Sequence, residues 1–163
     1  MKRSVQALVL DSAVQGGALY AAFQMFRFGR DKVLGINSSV EGFQQIGAGF
    51  GVDPDAFRLF VGTQELLVAG ALAAAALVFL RAAQSIARPA LQIGVVGLGA
   101  TMVGALVTEF YVRPGEQNWL VYLALRLIVI GAVVGFWSVK RFGIPLPLRA
   151  LLRRNTGQAV AIA

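Results

Sequence analysis

The stretch FVGTQELLVAGALAAAALVFL at residues 60–80 is long enough to cross a lipid bilayer and carries one ionisable side chain, Glu65. About 20 residues of apolar helix span the hydrocarbon core. Three further stretches have this character, and the four predicted spans cover residues 4–26, 56–80, 89–112 and 119–139. Hydrophobic residues make up 57% of the 163 and charged residues 14%, whereas soluble domains have roughly 45–50% and 25%. We therefore predict an all-α integral membrane protein.

The spans group into one four-helix transmembrane domain at residues 1–142. Its long first connection, residues 27–55, carries apolar side chains at roughly helical spacing and is predicted to lie on the outer membrane surface as a lid. Asp53 is expected to cap the second span, with Pro54 in its first turn, and Arg88-Pro89 to open the third. Residues 143–163 are predicted to form a short basic helix on anionic headgroups and a tail.

Lysine and arginine are unevenly divided between the two ends of the spans. The side with both termini holds Lys2, Arg3, Arg81, Arg88, Lys140, Arg141, Arg149, Arg153 and Arg154. The other side holds Arg27, Arg30, Lys32, Arg58 and Arg113, together with five acidic residues. The excess places both termini on the cytoplasmic side, in a bacterial cytoplasmic membrane, beside anionic lipid headgroups. Because the basic residues lie at helix ends, the net charge of +7 does not indicate a nucleic-acid partner.

Ionisable residues inside the spans are the candidate functional residues. A charge near the bilayer centre costs from roughly 2.5 to more than 10 kcal/mol, so it usually faces a partner or a wet cavity. Glu65 and Arg126 have similar depths in the outer half, and we predict that they form an ion pair inside the bundle. Tyr122 is expected to line the same face, with Glu109 at its mouth.

Two interpretations of that pair remain open. It can be a structural contact that fixes the register of the helices. Alternatively, it belongs to an outward-facing polar pocket beneath the 27–55 lid that binds a headgroup, a quinone-like ring or a partner's helix. Glu109 has Arg113 one turn away as another partner. Asp11, near the inner surface, is expected to hydrogen-bond within the bundle, and a proton relay from it to Glu65 is the alternative.

Cysteine and histidine are both absent from the sequence. Thiolate nucleophiles, histidine-based nucleophilic pairs, tetrahedral zinc sites and axial haem histidines are therefore excluded. We predict no metal site, no catalytic residue and no intrinsic cofactor, with quinone or lipid as the candidate bound molecules.

Residues 60–72, FVGTQELLVAGAL, resemble the Glu-centred second helix of DoxX-like membrane proteins. The long first connection and the third span that ends in GALVTE at residues 104–109 are similar to that family, and the likeness covers residues 5–138. Arg126 looks like the fourth-helix arginine of the related membrane chaperones of nicotinic receptors. Many relatives would have histidine where this chain has Glu109, which argues against transferring redox chemistry.

The resemblance implies one of three roles: a part in a membrane oxidoreductase assembly, a part in quinone-coupled thiosulfate oxidation, or assistance in assembling other membrane proteins. The leading hypothesis is a non-catalytic binding, assembly or accessory subunit of a larger membrane complex, with a membrane-protein partner or a second copy of the chain. The alternative is the membrane subunit of a quinone-linked oxidoreductase whose partner supplies the redox centre. A small transporter would need a continuous polar path from Asp11 to Glu65.

Overall fold

The computed structural model describes residues 5–36, 38–79, 84–112 and 118–142, and these contain five α-helices. The helices are α1 (Val5–Leu34), α2 (Ser39–Phe50), α3 (Pro54–Phe79), α4 (Gln84–Tyr111) and α5 (Asn118–Phe142). Regular structure in the described part is helical throughout, so the predicted all-α class is confirmed. The basic helix and tail predicted at residues 143–163 lie outside the described residues.

Three of the helices can cross a membrane, as judged by their length and composition. Within the described residues these segments are Pro54–Leu77, Arg88–Tyr111 and Trp119–Lys140, which match the predicted second, third and fourth spans. α1 is 30 residues long but is not one of the three. Its apolar part, before Arg27, is interrupted by Gln6, Asp11, Gln15 and Gln24, which lower its hydropathy.

α1 runs farther than the sequence predicted. The first span was expected to end at residue 26, yet the helix continues to Leu34 and ends at Gly35, whose φ of 64° is left-handed. Arginine and lysine have high helix propensity, so the charged residues prolong the helix rather than break it. Glycine adopts the left-handed conformation without a steric penalty and so ends the helix there.

The start of α4 also differs from the prediction. Pro89 was expected to open this helix, but the helix begins at Gln84 and contains Pro89. Only about the first turn precedes the proline, so the backbone hydrogen bond that it removes lies near the helix end, where the disruption is small.

The predicted cap of α3 is confirmed. The backbone N–H of Ala56 donates to Oδ1 of Asp53 at 2.6 Å, which satisfies a donor in the first turn. Pro54 is the first helical residue, a position where its missing N–H costs nothing.

The four long helices form a closed ring. α1 packs against α3 and α5, α4 packs against α3 and α5, and α2 packs mainly on α3. Consecutive long helices run in opposite directions, because the end of α1 meets the start of α3 while Asp11 near its beginning meets Trp137 near the end of α5. The fully buried centre contains Met25, Leu72, Leu98 and Leu127.

Glycines set the shortest distances between the helices. A Cβ atom built at Gly29 would lie 2.8 Å from the backbone oxygen of Gly62, so α1 and α3 touch backbone to backbone. On the other side of α3, the side chains of Leu72 and Val68 pack into the space that Gly94 and Gly97 of α4 leave open. Small residues allow this close approach where lipid provides no hydrophobic force between helices.

Gly29→Ala should destabilise the fold by about 1–3 kcal/mol, because the new methyl group meets backbone atoms that cannot move independently. Gly70→Ala is the matched control. Its Cβ would have no neighbour within 4 Å, so it should be neutral or slightly stabilising. Thermal unfolding of the two variants in the same detergent tests this expectation, and equal melting temperatures would contradict the close α1–α3 contact.

Candidate binding cavity

A cavity of about 440 Å³ lies inside the ring of long helices, at the end where α2 crosses. All five helices contribute to its wall, which is mostly apolar. Five phenylalanines line the part nearest α2: Phe28, Phe43, Phe50, Phe57 and Phe60. Six polar residues also line it: Lys32, Gln64, Glu65, Thr101, Thr108 and Glu109. An apolar chamber with a few convergent polar groups is the usual form of a small-molecule site.

Glu65 forms an ion pair with Lys32. The Lys32 Nζ donates to Glu65 Oε2 at 2.7 Å and to Glu65 Oε1 at 2.8 Å. The Lys32 side chain is 17% exposed and the Glu65 side chain is 5% exposed. The ammonium also lies 5.3 Å from the ring centroid of Phe28. A lysine has three N–H donors, so one donor remains for a molecule in the cavity.

The local fold brings this lysine to its carboxylate. Gly29 and Gly62 let α1 and α3 approach, and Lys32 is one turn beyond that contact. The Arg58 guanidinium donates to the backbone carbonyl oxygen of Lys32. Its Nη2 also forms a salt bridge with Asp55 Oδ1 at 3.1 Å. The end of α1 is thereby tied to the first turns of α3.

A second polar pair lies beside the first. The side-chain amide of Gln64 donates to Thr101 Oγ1 at 3.2 Å, and that hydroxyl donates to the Gly97 carbonyl oxygen at 2.8 Å. The two pairs join α1, α3 and α4 along one wall of the cavity. Glu109, which is 8% exposed, lines the cavity from α4 as the sequence placed it, while its predicted alternative partner Arg113 lies outside the described residues.

The predicted ion pair between Glu65 and Arg126 is wrong. Arg126 is exposed on the outer face of α5, and Tyr122, one turn before it, is 68% exposed. The inward stripe of α5 contains Ala124 and Leu127, and Arg126 lies about 100° around the helix from Leu127. The sequence correctly placed Arg126 and Tyr122 on one face, but that face points away from the bundle.

Sequence reasoning missed four polar residues of the cavity wall: Lys32, Gln64, Thr101 and Thr108. Lys32 was missed because it was assigned to the connection after the first span. The signal was nevertheless present. Met25 is fully buried, and Lys32 follows it by seven residues, which returns a helix to the same face. Continuing the inward stripe of α1 through the charged segment would have found it.

Asp11 lies at the opposite end of the bundle from the cavity. Its Oδ1 accepts a hydrogen bond from Trp137 Nε1 at 3.2 Å, which confirms the expected hydrogen bond within the bundle. The core between it and Glu65 is lined by apolar side chains such as Val14, Ala18 and Leu72. The described residues thus give no support to a relay between the two carboxylates.

Comparison of the chain with protein-family models, with curated proteins and with solved structures finds no match. The cavity is therefore interpreted from its own geometry. Within the described helices, no group of three acidic side chains is placed to hold a metal ion.

Lys32→Met should destabilise the protein by about 3–5 kcal/mol, because it leaves a buried carboxylate without its counter-charge. The matched control is Arg30→Met, which removes an exposed pair with Asp31 and should cost less than about 1 kcal/mol. Adding Glu65→Gln to Lys32→Met should recover part of the loss, because the charge left behind is removed as well. Chemical unfolding in detergent of the wild type, Lys32→Met, Glu65→Gln and the double variant gives the four free energies of the cycle, and strict additivity would mean that the pair is not energetically coupled.

Proposed function

We propose that the chain is a DoxX-like integral membrane protein that binds an amphipathic, lipid-soluble molecule without transforming it. The observation that supports this proposal is the cavity of about 440 Å³, which has apolar walls, one polar wall and a covering helix. Its volume falls in the range of small-molecule sites, about 300–1,000 Å³. In this role the protein serves as an accessory subunit that presents or stores such a molecule within a larger membrane complex.

The proposed topology has four membrane-spanning helices with both termini in the cytoplasm. Three of them are supported by length and apolar composition. α1 is added because its 30 residues exceed the roughly 20 needed and because it packs along α3 and α5. In this orientation α2 covers the cavity from the outer side.

A binding role without chemistry agrees with the side chains present. The sequence has no cysteine or histidine to act as a nucleophile or redox ligand. Lys32 and Glu65 neutralise each other at 2.7 Å, so neither is an isolated acid or base. The remaining donors and acceptors suit recognition of a polar head.

The quinone-linked alternative is favoured by one observation, the arrangement of polar groups between aromatic rings. Lys32 and the Gln64–Thr101 pair offer donors along the same wall, and phenylalanines line the approach from α2. Such a site matches a flat ring with carbonyl oxygens and an isoprenoid tail. In this alternative, electrons are supplied by a partner subunit, and this chain only holds the ring.

Ala105→Phe should expel the bound molecule, because the larger side chain fills a position on the cavity wall. Ala132→Phe is the control, since Ala132 is exposed on the outside of α5. The measurement is mass spectrometry of organic extracts from the purified proteins, scored for any stoichiometric lipid-soluble compound. A quinone identifies the alternative function, another amphiphile identifies the leading one, and equal retention by Ala105→Phe contradicts the cavity as the site.

Crosslinking α2 to Val112, which directly follows α4, should slow exchange of the bound molecule. A Cβ at Gly49 would lie 3.7 Å from the Cβ of Val112, a separation that a disulfide accepts, and the chain has no other cysteine. In the Gly49→Cys, Val112→Cys double variant, the release rate should fall on oxidation and recover on reduction. Each single-cysteine variant is the control, and exchange that is equally fast in the oxidised double variant would show that α2 does not cover the route.

A further inference from the structure

Arg126 presents a charge on a face of α5 that otherwise suits lipid. On the same face lie Trp119, Tyr122, Val129 and Val133, which are 58%, 68%, 62% and 53% exposed. Among the described residues, no carboxylate forms a salt bridge with Arg126. The described part of the chain therefore leaves this guanidinium available for an external counter-charge.

The neighbouring helix fixes where this charge lies. The Trp119 ring packs at a tilt against Phe28 of α1, with ring centroids 6.5 Å apart, and Gly17 of α1 packs against Ile130. Along α5, Arg126 therefore lies between two contacts with α1. Arg126 follows Trp119 by seven residues, about 10 Å along the axis. Helical side chains lean toward the N-terminus, so the guanidinium and the Tyr122 hydroxyl both extend toward the level of Trp119.

We propose that this stripe of Trp119, Tyr122 and Arg126 is a binding site for the phosphate of an anionic phospholipid. The proposal rests on the membrane insertion of α5 but not on what the internal cavity holds. Arginine makes paired hydrogen bonds with phosphate oxygens, tyrosine adds a hydroxyl, and tryptophan sits well at headgroup level. The lipid lies in the leaflet that contains the start of α5, with its chains along Val129 and Val133.

A second copy of the chain is a poorer occupant of the same face. A two-fold contact through α5 would bring the two Arg126 side chains together. The described part of α5 contains no carboxylate to separate them, and the carboxylates of Glu65 and Glu109 are buried. Phosphate from lipid supplies the negative charge that α5 of a second copy lacks.

The experiment is native mass spectrometry of the full chain titrated with phosphatidylglycerol in detergent. Arg126→Gln should weaken the tightest lipid-binding step about tenfold, the loss expected for charge-assisted hydrogen bonds. Arg126→Lys should lose less, because it keeps the charge without the paired geometry. Arg27→Gln is the matched control: Arg27 is also an exposed arginine, lies 5.9 Å from the Phe23 ring centroid and should leave this step unchanged.

Four results would overturn the proposal. Equal lipid binding by Arg126→Gln removes the site, and an equal loss in Arg27→Gln shows only a general attraction to positive charge. Loss of a protein partner or of a dimer in Arg126→Gln, with lipid binding intact, assigns the face to protein. Labelling of Val129→Cys by a water-soluble maleimide would instead show that α5 is not inserted in the membrane. This outcome would contradict the proposed membrane topology itself. Added inorganic phosphate should not displace the lipid, because the aromatic residues and the acyl chains are part of the site.

Discussion

The contact between the Lys32 ammonium and the Glu65 carboxylate, at 2.7 Å, constrains the arrangement of α1, α2 and α3. Water is largely excluded from Glu65, so its negative charge requires a fixed positive neighbour. That neighbour is on the last turn of α1, which must therefore extend alongside the start of α3. A shorter α1, as the hydropathy alone suggested, would leave the carboxylate without its partner.

The extended α1 then determines where the cavity is. Because α1 ends at Leu34, the chain turns at Gly35 and returns through α2 across the end of the ring. The Phe43 ring of α2 packs against the Phe57 ring of α3, with ring centroids 5.7 Å apart. α2 therefore contacts the same segment of α3 in which Arg58 hydrogen-bonds to the end of α1. Beneath it, the Gly29–Gly62 contact draws α1 and α3 together on one side while α4 and α5 complete the wall. The cavity thus forms where a closely packed pair of helices meets a covering helix.

Much of the architecture could be predicted from the sequence, because the relevant forces act locally. The length of the apolar stretches predicted three of the long helices. Asp53 and Pro54 predicted the residue at which α3 begins. The pairing of charges could not be obtained the same way. Depth along an axis places Arg126 and Glu65 at similar levels, but it does not tell which way a side chain points. The rotational position of α5 depends on how Ala124 and Leu127 pack against α1 and α4, and that information is spread over several helices. Lys32 was missed for a related reason: charged residues were taken to end the helix, although helix propensity favoured its continuation.

Lys32 and Arg126 illustrate two ways of accommodating a cation in an apolar environment. Lysine carries a compact ammonium on a flexible stem, and here it reaches inward to a single buried carboxylate. Arginine carries a planar group with five donors, which is suited to a phosphate approached from outside. The inner cation is neutralised by the protein itself, so the polar wall of the cavity is complete before any molecule binds. The outer cation forms no salt bridge among the described residues, and in the proposal made above its counter-charge is a phosphate outside the bundle. A charge on a membrane helix therefore indicates a partner, and the direction of the side chain determines whether that partner belongs to the chain or to its surroundings.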